Sequence, residues 1–474
     1  MRRLWAFLSG NRDYRLLLSA NFVSSTGDWI LRTGLAYQIY VLTGSTMASA
    51  AAVLAALIPQ IALGSMAGVY VDRWDRRRTV IVTNLLLGLS LLPLIAVHGP
   101  GQAWIIYAVM AGQSCLALFF STAEAALVPS LVPEKDLITA NSLNGQARDV
   151  ARLSGAALGG VVVGLGGIAL LTVVDVATFA IAATLLALIR RHGDSAPTQS
   201  QPRHLLREWA DGLRIAVSSR TLRTIMVFNL ITGVGEAVMS TLMAPFVHDV
   251  LHGSAQTYGA ITSAQAIGGI SGGLLTTIFG HRFTPRRLLG YGAVAFGALD
   301  LALFLYPLLT RSPWPALVLM AVVGLPGALT IAGLMTIFQT ATDDSHRGRV
   351  FGALVALESA AMLAATVAAG ALGDRLGIVP VIVFQGVGYC AAGVLVLALL
   401  PRNLLAAKGT TASTPLEVDG HPHELTRRAT AGRSRADPAV VGVQVDVAAT
   451  DDRGHVATGE AVAVFQDGRD AEGR

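Results

Sequence analysis

The sequence predicts an all-α integral membrane protein made of twelve transmembrane helices in two pseudo-symmetric bundles of six. Three observations predict it. The 474 residues are 53% hydrophobic and 14% charged, with a mean hydropathy of +0.58, whereas a soluble domain carries about 25% charged residues. Twelve runs reach the roughly 20 apolar residues that a helix needs to cross a bilayer. The second half of the chain also repeats the first at a nearly constant offset. This composition excludes a soluble enzyme, and the 50 glycines suit membrane helices. A net charge of +5 does not point to nucleic acid, because the positive residues fall in short loops rather than on one basic face.

In chain order the expected spans are 16–42, 46–71, 79–97, 103–127, 150–168 and 169–189, then 224–247, 256–280, 288–308, 315–338, 350–372 and 379–400. The first follows Arg2, Arg3, Arg12 and Arg15 and is too long and polar for a cleaved signal peptide. Gly44-Ser45 and Gly253-Ser254 precede the second and eighth. Arg73, Arg76, Arg77 and Arg78 precede the third, and Arg282, Arg286 and Arg287 precede the ninth. Pro326-Gly327 gives the tenth a candidate hinge, and Arg347 and Arg349 precede the eleventh. Lys and Arg are retained on the cytoplasmic side. The loops after even-numbered spans are the basic ones, so both termini are expected in the cytoplasm of a cell that holds this chain in its plasma or inner membrane.

The repeat is residue-specific. An offset of 208 carries Asn21 to Asn229, Gly27 to Gly235 and Asp28 to Glu236. An offset of 209 carries Gly64 to Gly273 and Arg73, Arg77 and Arg78 to Arg282, Arg286 and Arg287. An offset of 210 carries Gly167-Ile168 to Gly377-Ile378. The domains are therefore a first bundle over 1–189, a polar cytoplasmic linker over 190–223, a second bundle over 224–400, and a mostly disordered cytoplasmic tail over 401–474. Within that tail the alternation at Val441, Val443, Val445 and Val447 fits one or two short strands. Two parallel six-helix repeats form a transporter architecture with its site between the halves.

Ionisable residues inside a membrane are costly and are functional candidates by default. Asp28 has Arg32 on the same helical face four residues on, either a self-neutralising pair or a responsive site. Glu236 has no base four residues away, and Glu358 also lies near mid-membrane. These three acids are the proton-coupling candidates. Glu124, Arg148 and Arg152 are expected to form a gate or clamp at the cytoplasmic side, while Asp175 and Asp300 read as structural. In the fifth span Gly155, Gly159 and Val163 make one close-packing stripe, and Gly160 and Gly164 make another.

The run Gly64-Ser-Met-Ala-Gly68-Val-Tyr-Val-Asp72-Arg73-Trp-Asp75-Arg76-Arg77-Arg78 resembles the signature loop of the major facilitator superfamily. The stretches 21–29, 42–45 and 133–141 are similar to the branch that holds the enterobactin exporter and macrolide-efflux proteins. Asp75 stands where many members have glycine, and His281 replaces the aspartate in the second copy of the loop. Gly64 and Gly68 would let the second helix approach a neighbour closely. The resemblance implies that Asp72, with Arg73, Arg76 and Arg77, latches the cytoplasmic side shut in one state; topogenic charge is the alternative role. It also implies that helices one, four, seven and ten line the cavity, which makes Asn21, Trp29, Arg32, Gln38 and Gln113 the substrate-facing candidates.

The expected function is alternating-access transport, with proton-coupled export of a hydrophobic or amphipathic small molecule as the leading form. The alternatives are a lysophospholipid flippase of the same fold and a membrane sensor that signals through its tail. No phosphate loop, metal-ligand cluster or nucleophile–base pair occurs, so no cofactor and no enzymatic reaction are expected. The expected partners are the bilayer, a small-molecule substrate and protons, and a twelve-helix monomer is self-sufficient.

Overall fold

The computed structural model describes residues 7–71, 74–190, 205–343, 346–401, 448–450 and 456–458. A chain in lipid must satisfy its backbone polar groups internally, which leaves helices as the spanning form for apolar runs of this length. The helices are α1 (Arg12–Thr43), α2 (Thr46–Val71), α3 (Arg76–Ser90), α4 (Ala103–Leu131) and α5 (Leu137–Ala187). The short α6 (Leu205–Ser218) precedes α7 (Arg220–Pro245), α8 (Ala255–Phe279), α9 (Pro285–Leu305), α10 (Trp314–Ala341), α11 (Arg347–Leu376) and α12 (Ile378–Leu399). Each run expected to span falls on a helix, and the fifth and sixth share α5. Among the described residues, nine helices are long and apolar enough to cross a membrane. Polar residues keep α1 and α8 below that apolarity: Asp28 and Arg32 in the first, and Gln256, Thr257 and Gln265 in the second.

Turn chemistry sets the ends. Gly44 closes α1 in the left-handed region at φ 61°, its N–H donating to Tyr40 O at 2.7 Å. Asp75 caps α3 by accepting the Arg78 amide at 2.7 Å, and Ser254 caps α8 through the Thr257 amide at 3.4 Å. Gly167 at φ 59° and its repeat mate Gly377 at φ 88° turn the chain at equivalent places, the first inside α5 and the second between α11 and α12. Arg77 donates to the carbonyl of Ala187 at the end of α5 (2.7 Å), while its mate Arg286 donates to that of Leu397 at the end of α12.

Two expectations are revised. The helix that carries the expected fifth span begins upstream of it, at Leu137, and Gln146, Asp149 and Arg152 along it line a cavity. The polar linker contains α6, which packs on α11 through buried Ala216 against Val350 and Leu354; a Cβ on Gly212 would collide with the carbonyl of Arg349.

By packing, the chain forms two compact units, Met1–Thr411 and Ala412–Arg474, so both bundles belong to one body. In the second unit, β1 (Ala448–Thr450) pairs antiparallel with β2 (Val456–Thr458). The rest of the segment after 401, including the valines at 441–447 and the expected disorder, lies outside the described residues.

The seams between the halves run along α5 with α8 and α2 with α11. The two glycine stripes of α5 serve different partners. A Cβ on Gly155 would lie 2.5 Å from the Cβ of Trp29, and one on Gly159 would lie 2.6 Å from Ile30 O, so this stripe seats α1. Gly160 lies against Ala255 O and Gly164 against Gln256, so the other stripe seats α8 of the opposite half.

Candidate functional site

The end of the bundle opposite the arginine-rich loops is closed by hydrogen bonds between the halves. Asp374 on α11 accepts from the Thr46 amide (2.7 Å), Thr46 Oγ1 (2.8 Å), Ser45 Oγ (2.9 Å) and the Met47 amide (3.3 Å) at the start of α2. A carboxylate there satisfies free amides and complements the positive end of the helix dipole. Tyr37 donates to Gly253 O at 2.8 Å, and Tyr40 donates to Asp249. Ser263 on α8 joins the halves deeper in the bundle by donating to Leu153 O at 3.0 Å.

Toward the basic end the halves part around two cavities. The larger, about 770 Å³, is lined by Gln146, Asp149 and Arg152 of α5, Glu236 of α7, Gln265 of α8 and Tyr389 of α12, among others. The smaller, about 440 Å³, is lined by Asp28, Trp29 and Arg32 of α1, Gln113 of α4, Tyr258 and Thr262 of α8, and again Glu236. Apolar side chains complete its wall, including Leu57, Val109, Met110 and Met362. Glu236 is thus the acid common to both spaces.

Of the residues singled out from the sequence, Asp28, Trp29, Arg32, Gln113, Arg152 and Glu236 line these cavities. Gln113 is also anchored, its Nε2 donating to Leu87 O at 2.8 Å and Ser90 Oγ at 3.0 Å. Asn21 does not face a cavity: it is buried and donates from Nδ2 to Glu124 Oε1 at 2.5 Å. Gln38 is half-buried outside both linings. Glu358 packs between α11 and α7, where a Cβ on Gly233 would lie 3.0 Å from its Cγ.

The expected clamp is rearranged. Glu124 feels the charge of Arg148 and accepts from Asn21. Arg152 of the first half lines the same cavity as Glu236 of the second and acts on it electrostatically, without an ion pair among the described residues. The Nε of Arg152 is buried without a hydrogen-bond partner. Among the described latch residues, the contacts of Arg76 and Arg77 stay within the first half. Gly64 faces open space, Arg76 donates to Ala126 O at 3.2 Å and Arg77 to Ala187 O, all inside the first half. Gly68 lies within α2, while Asp72 and Arg73 lie outside the described residues.

Behind the cavity acids lie buried polar groups, of which Asp175 and Asp300 were read as structural from the sequence and Gln385 was not singled out. Asp175 is fully buried, accepts from Thr178 Oγ1 at 2.9 Å, and presses against Gly27 beside Asp28. At the repeat-related place, Gln385 is buried against Gly235 beside Glu236, with a Cβ on Gly235 lying 3.2 Å from its Cγ. Asp300 is 1% exposed, with Oδ2 unpartnered and Glu236 within electrostatic range. The offset of 210 that links Asp175 to Gln385 was legible; their burial behind the two acids was not.

The family model described as "Transmembrane secretion effector" matches residues 4–461. The chain belongs to this family of major facilitator transporters. Macrolide efflux protein A of Streptococcus pyogenes is 23% identical over 352 residues, covering 74% of this chain and 86% of that protein. The multidrug efflux pump Tap of Mycobacterium tuberculosis is 27% identical over 375 residues, covering 77% and 87%. Among solved structures, a nucleoside transporter aligns with a TM-score of 0.68 at 14% identity, over 82% of this chain and 100% of that one. A bacterial homologue of the iron transporter ferroportin, in an inward-facing state, aligns with a TM-score of 0.64 at 15% identity, over 81% and 98%. The protein is a multi-pass membrane transporter of the major facilitator superfamily with efflux pumps among its relatives.

Proposed function

We infer that the protein exports a hydrophobic or amphipathic small molecule in exchange for protons, by rocking its two halves about the paired cavities. The observation that carries this reading is the placement of Glu236. It lines both cavities from the second half, and its cation, Arg152, belongs to the first. Any motion that separates α5 from α7 removes that compensation, and a proton or a cationic substrate group can then take its place. A carboxylate whose neighbouring cation is on its own helix, as Arg32 is for Asp28, would have no such dependence on the position of the halves.

The arginine-rich loops support a cytoplasmic location for the basic end. On that reading the structure is inward-open, with its outer side held by Asp374 and the tyrosines of α1. The smaller cavity combines an apolar wall (Leu57, Val109, Met110, Met362) with polar side chains such as Gln60, Gln113 and Thr262, which suits an amphipathic substrate, in keeping with the macrolide and multidrug efflux relatives.

The test is proton release from proteoliposomes on adding macrolides, siderophores or lysolipids, with wild type beside Glu236→Gln. Substrate-triggered flux that disappears in the variant supports antiport at Glu236, and the responding compound class separates drug export from lipid flipping. Flux that survives moves the coupling acid to Asp28 or Glu358. A folded protein silent toward every class turns attention to a sensor role for the tail.

A further inference from the structure

A groove of about 410 Å³ lies on the outside of the second half, between α7 and α12 at the basic end. Arg220, Arg223, Thr224 and Val227 of α7 line it together with Leu395 and Leu399 of α12. At about 100° per residue these four α7 positions fall on the face opposite Glu236, so the groove faces away from the transport cavities and toward the membrane. Both arginines are exposed, and among the described residues no hydrogen bond or ion pair engages either guanidinium. Thr224 is buried at the back, its hydroxyl donating to Arg220 O at 2.9 Å. The groove also meets the first turn of α7, whose amide end carries partial positive charge.

We propose that this groove binds the phosphate headgroup of an anionic phospholipid, with one acyl chain lying along Val227, Leu395 and Leu399. Two uncompensated guanidiniums supply charge and bidentate donors for a phosphate. The apolar floor running down from them into the hydrocarbon zone is what a lipid has and a free anion lacks. Basic pockets between membrane helices recognise lipid headgroups in this way.

The probe is phosphatidylglycerol added to the purified full-length protein in neutral detergent, with bound lipid counted by native mass spectrometry. Arg220→Gln with Arg223→Gln should weaken retention roughly 30-fold, at about 1 kcal/mol per arginine near the surface. Arg78→Gln with Arg287→Gln removes two exposed charges from the same membrane face and should leave retention unchanged. Leu395→Trp keeps both arginines but fills the groove, and should lower retention by itself. It keeps the proposal open to refutation should the double variant fail to fold. Equal retention of phosphatidylcholine, equal loss in the control variant, or full displacement by inorganic phosphate would each overturn the assignment. The last would leave a free-anion site in its place.

Discussion

The two halves solve the same electrostatic problem differently. In the first, Asp28 has its cation on the same helix at Arg32, with a second carboxylate, Asp175, buried behind Gly27. In the second, Glu236 has a neutral amide, Gln385, behind Gly235 and takes its cation from Arg152 of the other half. The glycines, the acids and the buried polar groups are repeat mates, but the charge balance is not. In the first half, the acid and the cation that acts on it share one helix. In the second, the cation that acts on the acid belongs to the other half. The acids occupy repeat-related positions, while the cations acting on them come from different places.

The strongest test of that contrast removes each acid. Glu236→Gln should reduce substrate-driven proton flux by roughly 100-fold or more, on the scale of losing a proton-transfer group. The joint change Asp28→Asn with Arg32→Gln, which preserves net charge, should keep flux within about tenfold of wild type. Equal losses in liposome assays would remove the distinction between the halves.

Next in size is the seam itself. Gly160→Leu places a side chain against Ala255 O and should destabilise the α5–α8 contact by roughly 1–3 kcal/mol. Spin-label distances across that seam should lengthen, whereas Gly64→Ala, which meets open space in this conformation, should leave them unchanged.

A smaller effect is expected at the closed end. Asp374→Ala removes the acceptor of the first amides of α2, a capping loss of about 0.5–2 kcal/mol. The fraction of molecules open at that end should rise, read as faster alkylation of a cysteine introduced at Ser49. An unchanged alkylation rate would show that Tyr37 and Tyr40 hold the seam without it.

The smallest effect concerns the residues behind the acids. Asp175→Asn keeps the shape and the contact with Thr178 and should change flux no more than about twofold, if the charge of the first half is indeed settled by Asp28 and Arg32. A large loss of flux in correctly inserted protein would make Asp175 part of the moving charge and erase the contrast drawn between the halves.

Much of this was legible in the residues. Apolar run length placed the helices, because lipid leaves the backbone few alternatives. The repeat offsets located Gly167 and Gly377, Arg77 and Arg286, and Asp28 and Glu236 as equivalent pairs, and the two stripes of α5 were visible as spacings. Cavity lining was legible for Asp28, Trp29, Arg32, Gln113 and Glu236. It failed for Asn21, which lies seven residues before Asp28 on nearly the same face but is covered by Glu124, a residue 103 positions away. The stretch of α5 before residue 150 was not read as helix either, although Gln146 and Asp149 there line the larger cavity.

The sequence by itself therefore determined which segments enter the membrane, how they repeat, and which charges had to be accommodated there, since those depend on local transfer energies and helical periodicity. Only the tertiary structure decided which charge answers which. The shared cavity of Arg152 and Glu236, the capture of α2 by Asp374 and the burial of Asp175 and Asp300 all depend on side chains far apart in the chain. Local transfer energies do not encode those juxtapositions; helix packing sets them, and where it buries a carboxylate such as Asp175 or Asp300 the lost hydration makes the charge costly.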